Sequence, residues 1–380
     1  MKINLNKIMK SQEGFTRKKI IIIALIVLLA LAIVFMLTTR KEETVKIGAI
    51  LPLSGSGQSV GEEVRDGLLL AVDEINAWGG INGKKVELIM EDSKTDPDEG
   101  KKAFDKIENA HHPVLYLSSH SAISIALAPL AQEHQVVLLG TSVMAPKFTE
   151  NQEWTYRYWP TAKTEVPPTL TILEELRVKN LGILYQDDEF GRSVFELLKQ
   201  EFIKTGGIVE AEHFEPVFTD LKGSIDRLIN MEAIYVVGFA SLIGNVFHQL
   251  KEENFKGFIL GGNAVSFPEI QTLPEAQGVY TAAPVIYNPN FPFAKEIEKK
   301  YVNRYNKPFS HSAAAGYDTI KILAGLWEDE DISRERVKSL LDEGFVYSGV
   351  FGMVNVRPGE HDISFLLYPA QIINGEVRYR

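Results

Sequence analysis

Two hydrophobic periods alternate along most of this 380-residue chain. Short continuous apolar runs read as buried strands: VKIGAILPL at 45–53, then KVELIMED, PVLYLS and VVLLG. Between the first two, Val64, Leu68, Ala71, Val72 and Ile75 fall at i, i+4, i+7, i+8 and i+11, one face of a helix closed by Gly79 and Gly80. Helices through Ala103 and Ile107, and from Ser121 onward, fill the next gaps. Beyond Pro160, Pro167 and Pro168 a second series repeats the rhythm: LGILYQ, a helix through Val194 and Leu198, IVEAEHF, a helix through Ile225 and Leu228, AIYVVGF, another helix, and FILGG. Past Pro284 helices return over 293–305, 313–327 and 333–341, and the tail ends in strand-like VYSGVFGMVNV and SFLLYPAQII. Strands alternating with helices build parallel sheets covered on both faces, so the class is α/β. The order predicts one lobe from 45–162 and 285–356 and another from 163–284 and 357–380, crossed several times and suited to hinge closure around a ligand.

One segment breaks the alternation. Residues 20–37, IIIIALIVLLALAIVFML, carry no charge. At ~1.5 Å per residue the run nearly crosses a hydrocarbon core of ~30 Å, and it spans with Thr38 and Thr39 added. A helix over 20–39 with RKK before it and a basic segment at 1–19 predicts a cytoplasmic N-terminus, a linker at 40–44 and export of everything beyond. The run is longer than a signal-peptide core and no small-x-small site follows it, which favours an uncleaved signal anchor in the membrane; the alternative is a removed signal and a free protein.

Charge sharpens this picture. The first 19 residues hold six basic groups against Glu13, leaving about −15 on the rest of a chain whose net charge is −10. An acidic body repels phosphate backbones, so nucleic acid is excluded as a partner and a small-molecule ligand or a protein is expected. The chain has no cysteine, which removes disulfides, thiolate metal sites, cysteine nucleophiles and a lipid-accepting anchor.

Signatures of common chemistry are missing: there is no GxSxG elbow, HExxH pair or Walker A loop. Gly55, Gly57 and Gly61 approach a dinucleotide loop, with Glu91 and Asp92 ending the next strand, but the third consensus glycine falls on Val60. A flexible βα turn, or a loop lining a ligand, fits better than a cofactor site. Adjacent His111 and His112 precede Pro113 and read as a helix end, not a metal site. Asp96, Asp98 and Glu99, and Asp187, Asp188 and Glu189, read as helix N-terminal acids. The acidic run 328–331 reads as a solvated helix cap, and Ile320, Leu323, Ala324 and Trp327 as core. Neither a cofactor, a metal nor an enzymatic activity is expected.

The opening VKIGAILPLSGSGQSVGEEVRDGLLLAVDEINAWGGINGKKVELIMEDSKTDP resembles that of the branched-chain amino-acid (Leu/Ile/Val) family of type I periplasmic solute-binding proteins. LSSHSAISIALAPLAQEHQVVLLGTSVMAPKFT and YQDDEFGRS resemble its later sections, and the likeness runs from about Val45 to the C-terminus, weakening after Pro284. The resemblance implies two Rossmann-like lobes of Venus-flytrap type joined by three crossovers, and an ABC-type membrane permease as partner. It also implies a site. Ser121, with Ser119 as alternative, would hold a ligand carboxylate at a helix N-terminus, whose free N–H groups suit an anion. Ser142 and the backbone of Met144 would supply a second contact. Val60, Phe190 and Phe239 stand where family members often carry tyrosines.

At Asn263 the amino-acid binders have a glutamate that pairs with the α-ammonium group. Asparagine supplies a dipole and no countercharge, and an unpaired buried ammonium is costly. This points to a small carboxylate or an amide rather than an α-amino acid, unless Asp187, Asp188 or Glu269 supplies the charge. Branched-chain amino-acid binding therefore stays open, as do a sensor ectodomain working through a membrane partner and, as the third class, an exported enzyme.

Overall fold

The computed structural model describes residues 44–215, 220–327 and 332–380. The basic stretch 1–19, the apolar run 20–39, the linker up to residue 43 and the acidic run 328–331 lie outside the described residues. Among the described residues no helix is long and apolar enough to cross a membrane.

Two sheets form, as the alternation of periods predicts. The first runs β1 (Thr44–Leu51), β2 (Lys85–Asp92), β3 (Leu115–Ser118), β4 (Val137–Thr141) and β5 (Thr155–Tyr158), all parallel, in the order β5-β4-β3-β1-β2. Its helices are α1 (Gln58–Ala77), α2 (Pro97–His111) and α3 (Ser121–Glu133). The second contains β6 (Asn180–Gln186), β7 (Ile208–Phe214), β8 (Ala233–Val237), β9 (Phe258–Gly261) and β10 (Tyr280–Pro284), also parallel to one another. With it come α4 (Ala162–Glu175), α5 (Glu189–Lys204), α6 (Lys222–Leu228), α7 (Ala240–Glu252) and the single turn α8 (Pro268–Gln271). The chain then returns to the first lobe through α9 (Pro292–Tyr305), α10 (His311–Leu326) and α11 (Arg334–Asp342). A hairpin of β11 (Phe345–Gly349) and β12 (Gly352–Val356) makes a separate two-stranded sheet. Thr44, placed in the linker by sequence, already pairs with Lys85.

The tail corrects the lobe boundary. β13 (Asp362–Ile363) is parallel to β5 and edges the first sheet, so the first lobe does not end at 356. Only β14 (Leu367–Ile373) and β15 (Glu376–Tyr379) join the second sheet, antiparallel beside β10. A two-residue strand carries no period of its own, which is why pattern cannot reveal it. The chain thus crosses between lobes at 159–161, 285–291 and 364–366.

Packing explains two small residues. The helices α1 and α10 meet so closely that a Cβ on Gly67 would fall 2.0 Å from the Ala313 carbonyl oxygen, and one on Gly316 2.5 Å from that of Val64. Only glycine permits the approach. Buried Asp318 on α10 accepts from the Tyr158 hydroxyl (2.9 Å), the Tyr347 hydroxyl (2.8 Å) and Val350 N–H (3.1 Å), tying the hairpin to β5. Burial pushes its carboxyl up to about 6.

Candidate functional site

In each sheet the strand order reverses once, between β1 and β3 and between β6 and β8. Ligands of open α/β sheets bind outside the carboxyl ends of strands at such points. Every residue singled out by sequence follows a carboxyl end: Val60 after β1, Ser119 and Ser121 after β3, Ser142 and Met144 after β4, Phe190 after β6, Phe239 after β8 and Asn263 after β9.

On the first lobe these residues form a braced platform. Ser121 opens α3, and its Oγ accepts from Met144 N–H (3.1 Å) and Ala145 N–H (3.2 Å), so the two predicted contact points are latched together. The hydroxyl proton of Ser121 stays free to donate. Met144 differs from expectation: its N–H is committed to Ser121 and its carbonyl to Arg157 Nη1 (3.2 Å), so its backbone has no free donor for a ligand. Its half-buried side chain instead packs against the cores of both lobes. Ser142 holds a left-handed conformation (φ 61°) with Oγ 3.4 Å from Ser312 Oγ. Beneath the loop the buried Arg157 guanidinium donates to Ala145 O (2.8 Å), Thr149 Oγ1 (2.9 Å) and Asp362 (2.7 Å). Ser119 is fully buried, and its Oγ has no partner among the described residues. Val60 is half-buried against this core.

The glycine-containing loop after β1 is pinned, not flexible. Asp92 accepts from Leu53 N–H (2.8 Å), Ser54 N–H (3.2 Å), Ser54 Oγ (2.7 Å) and Lys94 N–H (2.7 Å), while Thr95 Oγ1 accepts from Gly57 N–H (3.0 Å). The acid that in a dinucleotide site would meet a ribose is spent on the loop itself. Asp96 caps α2 and His112 ends it in a left-handed turn, as read from sequence.

The second lobe is less complete. Phe190 is nearly closed off in the core beside Val194 and Leu198, whereas Phe239 is half-exposed and belongs to no core cluster. Phe239 N–H is held by Gln186 Oε1 (3.0 Å). Asp188 caps α5 by accepting from Gly191 N–H (2.7 Å), and Asp187 pairs with Arg192, so neither is a spare countercharge. Asn263 is 3% exposed. Its N–H donates to Glu165 Oε1 (2.7 Å), its carbonyl accepts from Ser266 Oγ (2.6 Å), and its side-chain amide has no partner among the described residues. Glu165 is 1% exposed; its other oxygen lies 3.4 Å from the Tyr235 hydroxyl, and burial pushes it up to about 7.

The lobes touch at both ends of the crevice. At the hinge His311 lies 3.3 Å from Ser266 Oγ and 2.8 Å from the Tyr287 hydroxyl, and burial pushes its imidazole down to about 3, so it is neutral. At the lip Lys147 N–H donates to Glu189 Oε1 (3.2 Å). Beside the hinge Glu63 of α1 accepts from Ser310 Oγ (2.7 Å) and from Ser312. Burial pushes Glu63 up to about 7, with the charge of Glu269 from the other lobe adding to the rise. Glu63, Arg157, Glu165, Ser312 and His311 were not singled out by sequence; no spacing or motif marks them, because each acts on a residue far away in the chain.

Comparison with known proteins bears on this arrangement. A family model described as periplasmic binding protein matches residues 44–376. The Leu/Ile/Val-binding protein homolog 2 of Brucella abortus is 23% identical over 293 residues, 73% of this chain and 76% of that protein. A branched-chain amino acid transporter substrate binding protein from Streptococcus pneumoniae, solved with isoleucine, superposes with a TM-score of 0.77 at 23% identity, covering 88% of this chain and 98% of that one. A solute binding protein of an ABC transporter from Rhodopseudomonas palustris, solved with 3,4-dihydroxybenzoic acid, gives 0.77 at 20% identity, covering 88% and 95%.

Proposed function

Since the chain belongs to the periplasmic binding protein family, as a type I member of its branched-chain amino acid branch, we propose that it is the extracytoplasmic receptor of an ABC-type uptake system and carries out no reaction on its solute. The solute is a small molecule with a carboxylate. Its carboxylate is taken at the N-terminus of α3 by Ser121, where four free N–H groups and the helix dipole favour an anion, with Ser142 alongside. Phe239, Val60 and the Asn263 turn close over the remainder. The observation that carries this reading is the convergence of all eight sequence-chosen residues on the carboxyl ends of strands in both sheets. Relatives with isoleucine and with a hydroxybenzoate bound share a carboxylate in their ligands and differ in the rest.

The apolar run at 20–39 supports a single-pass signal anchor holding the lobes at the outer face of the membrane, where a permease is met by lateral diffusion. N-terminal sequencing of the mature protein tests the anchor: a start beyond residue 39 would mean a removed signal. Calorimetric titration of the full chain with aliphatic and aromatic carboxylates tests the receptor. Micromolar binding of at least one carboxylate, weakened in Ser121→Ala, is expected; binding only of solutes without a carboxylate would contradict the reading.

A further inference from the structure

A run of hydroxyls leads from the platform to an acid beside the hinge. Ser142, half-buried after β4, has its Oγ 3.4 Å from the Ser312 Oγ, with the Ser142 hydroxyl as donor. Ser312, 1% exposed at the start of α10, donates in turn to the Glu63 carboxyl on α1. Ser310 donates to the same carboxyl at 2.7 Å, while its own Oγ accepts the Ala313 N–H at 3.2 Å. Three elements far apart in sequence are thus joined by hydroxyl protons that all point towards Glu63. A serine hydroxyl has a single proton. Spent on Ser312, the proton of Ser142 is withheld from a solute, which meets only lone pairs there.

This direction is the one an ionised carboxyl imposes, because a carboxylate accepts and cannot donate. A protonated Glu63 has one proton to place. The Ser310 Oγ is already occupied by the Ala313 N–H and by its own bond to Glu63, so the proton goes to Ser312. The Ser312 hydroxyl then turns onto the Ser142 Oγ, and the Ser142 proton is released. The groups around Glu63 set where this reversal occurs. Burial is the strongest influence and holds the carboxyl up at about 7; the charge of Glu269, on α8 of the other lobe, adds to the rise, and Lys307, shared with Glu62 and Asp66, opposes it. Tyr287 and Tyr301 stay protonated in this range, and His311, between the two serines, stays neutral.

We propose that Glu63 is a positioning residue of the solute platform: acting through Ser312, it turns the Ser142 hydroxyl away from the solute when ionised and frees it to donate to a carboxylate when protonated. This rests on the solute-receptor reading and adds a control to it. Carboxylate affinity is high below about pH 7 and falls as pH rises through that value; because the bound carboxylate favours protonated Glu63, binding near pH 7 takes up protons. An uncharged amide is indifferent to the reversal, since it can accept through its oxygen or donate through its nitrogen, whichever Ser142 requires.

The test titrates 4-methylpentanoate and 4-methylpentanamide, and benzoate and benzamide, calorimetrically into the full chain between about pH 6 and pH 8.5, reading the ratio of acid to amide affinity within each pair. In the wild type the ratio of at least one pair is expected to fall about 10-fold across that range. Glu63→Gln, whose amide nitrogen can donate to Ser312 while its oxygen accepts from Ser310, is expected to hold the ratio at its low-pH value throughout. Ser312→Ala breaks the run but leaves the Glu63 charge in place, and should flatten the ratio as well; a Glu63 acting only by repulsion through space would keep the wild-type profile in this variant. Ser121→Ala should lower carboxylate affinity at every pH and keep the profile. A ratio independent of pH in the wild type, or the wild-type profile in Ser312→Ala, overturns the proposal and leaves the receptor reading intact. No binding by any of the four probes overturns both.

Discussion

The two walls of the crevice are built differently. On the first lobe the platform is braced: Ser121 is latched to residues 144 and 145, Arg157 is spread over four partners beneath them, and Asp92 pins the loop after β1, while the buried Ser119 Oγ and His120 Nδ1 beside the start of α3 have no partner among the described residues. On the second lobe Glu165 is buried without a cation, the Asn263 side chain makes no hydrogen bond among the described residues, and Phe239 stands outside the core. A wall whose donors are fixed beforehand loses little freedom when it binds, and suits the carboxylate of the proposed solute. A wall with unfinished groups gains most when a particular solute arrives. Closure needs a ligand that favours the closed state.

The largest effect should come from removing the brace of the finished wall. Arg157→Ala leaves Asp362 without its cation and the carbonyls of residues 144 and 145 without donors, and should cost about 3 to 5 kcal/mol in chemical denaturation. A loss below 1 kcal/mol would mean that the platform is not braced. Next is the pH dependence of the unfinished wall. The folded-state pKa of Glu165 is raised, to about 7 from 4.5, so the folded state holds its proton over that interval while the unfolded chain does not. Stability from this group is full below about 4.5 and is lost as pH rises towards 7, on the order of 3 kcal/mol. Glu165→Gln should remove that part of the slope in denaturation measured from pH 5 to 7.5, leaving the parts due to Glu63 and Asp318, whose carboxyls burial also raises. His311 works in the opposite sense: its lowered pKa makes its contribution fall as pH drops below 6.5, and the Glu165 variant leaves that part unchanged.

Smaller effects sharpen the contrast. Ser121→Ala breaks the latch and should cost about 1 to 2 kcal/mol of stability while weakening every carboxylate alike, read by melting and titration together. Phe239→Ala should change stability by about 0.5 kcal/mol or less, because the ring packs in no core, yet should alter the ranking of solutes. A larger stability loss would place Phe239 with Phe190, whose ring is nearly buried.

What could be read in the chain divides along the same line. Alternating periods reveal the strands and helices, and the sequence suffices to place Ser119, Ser121 and Ser142 after strands of the first lobe. The latch is not legible there: that Ser121 consumes the Met144 N–H depends on a fold that brings α3 beside the loop after β4. Asn263 was recognised as a departure, but not its contact with Glu165, whose place in AKTEVPPTL follows no motif and whose contact spans 98 residues. Glu63, held by Ser310 from 247 positions away, was invisible for the same reason.

The central claim, a carboxylate taken at the start of α3, is tested most directly by titrating 4-methylpentanoate and its uncharged amide into the wild type and Ser121→Ala. The expected result is that the wild type prefers the carboxylate and that Ser121→Ala weakens it while leaving the amide unchanged. Equal affinity of the wild type for the two probes would contradict it.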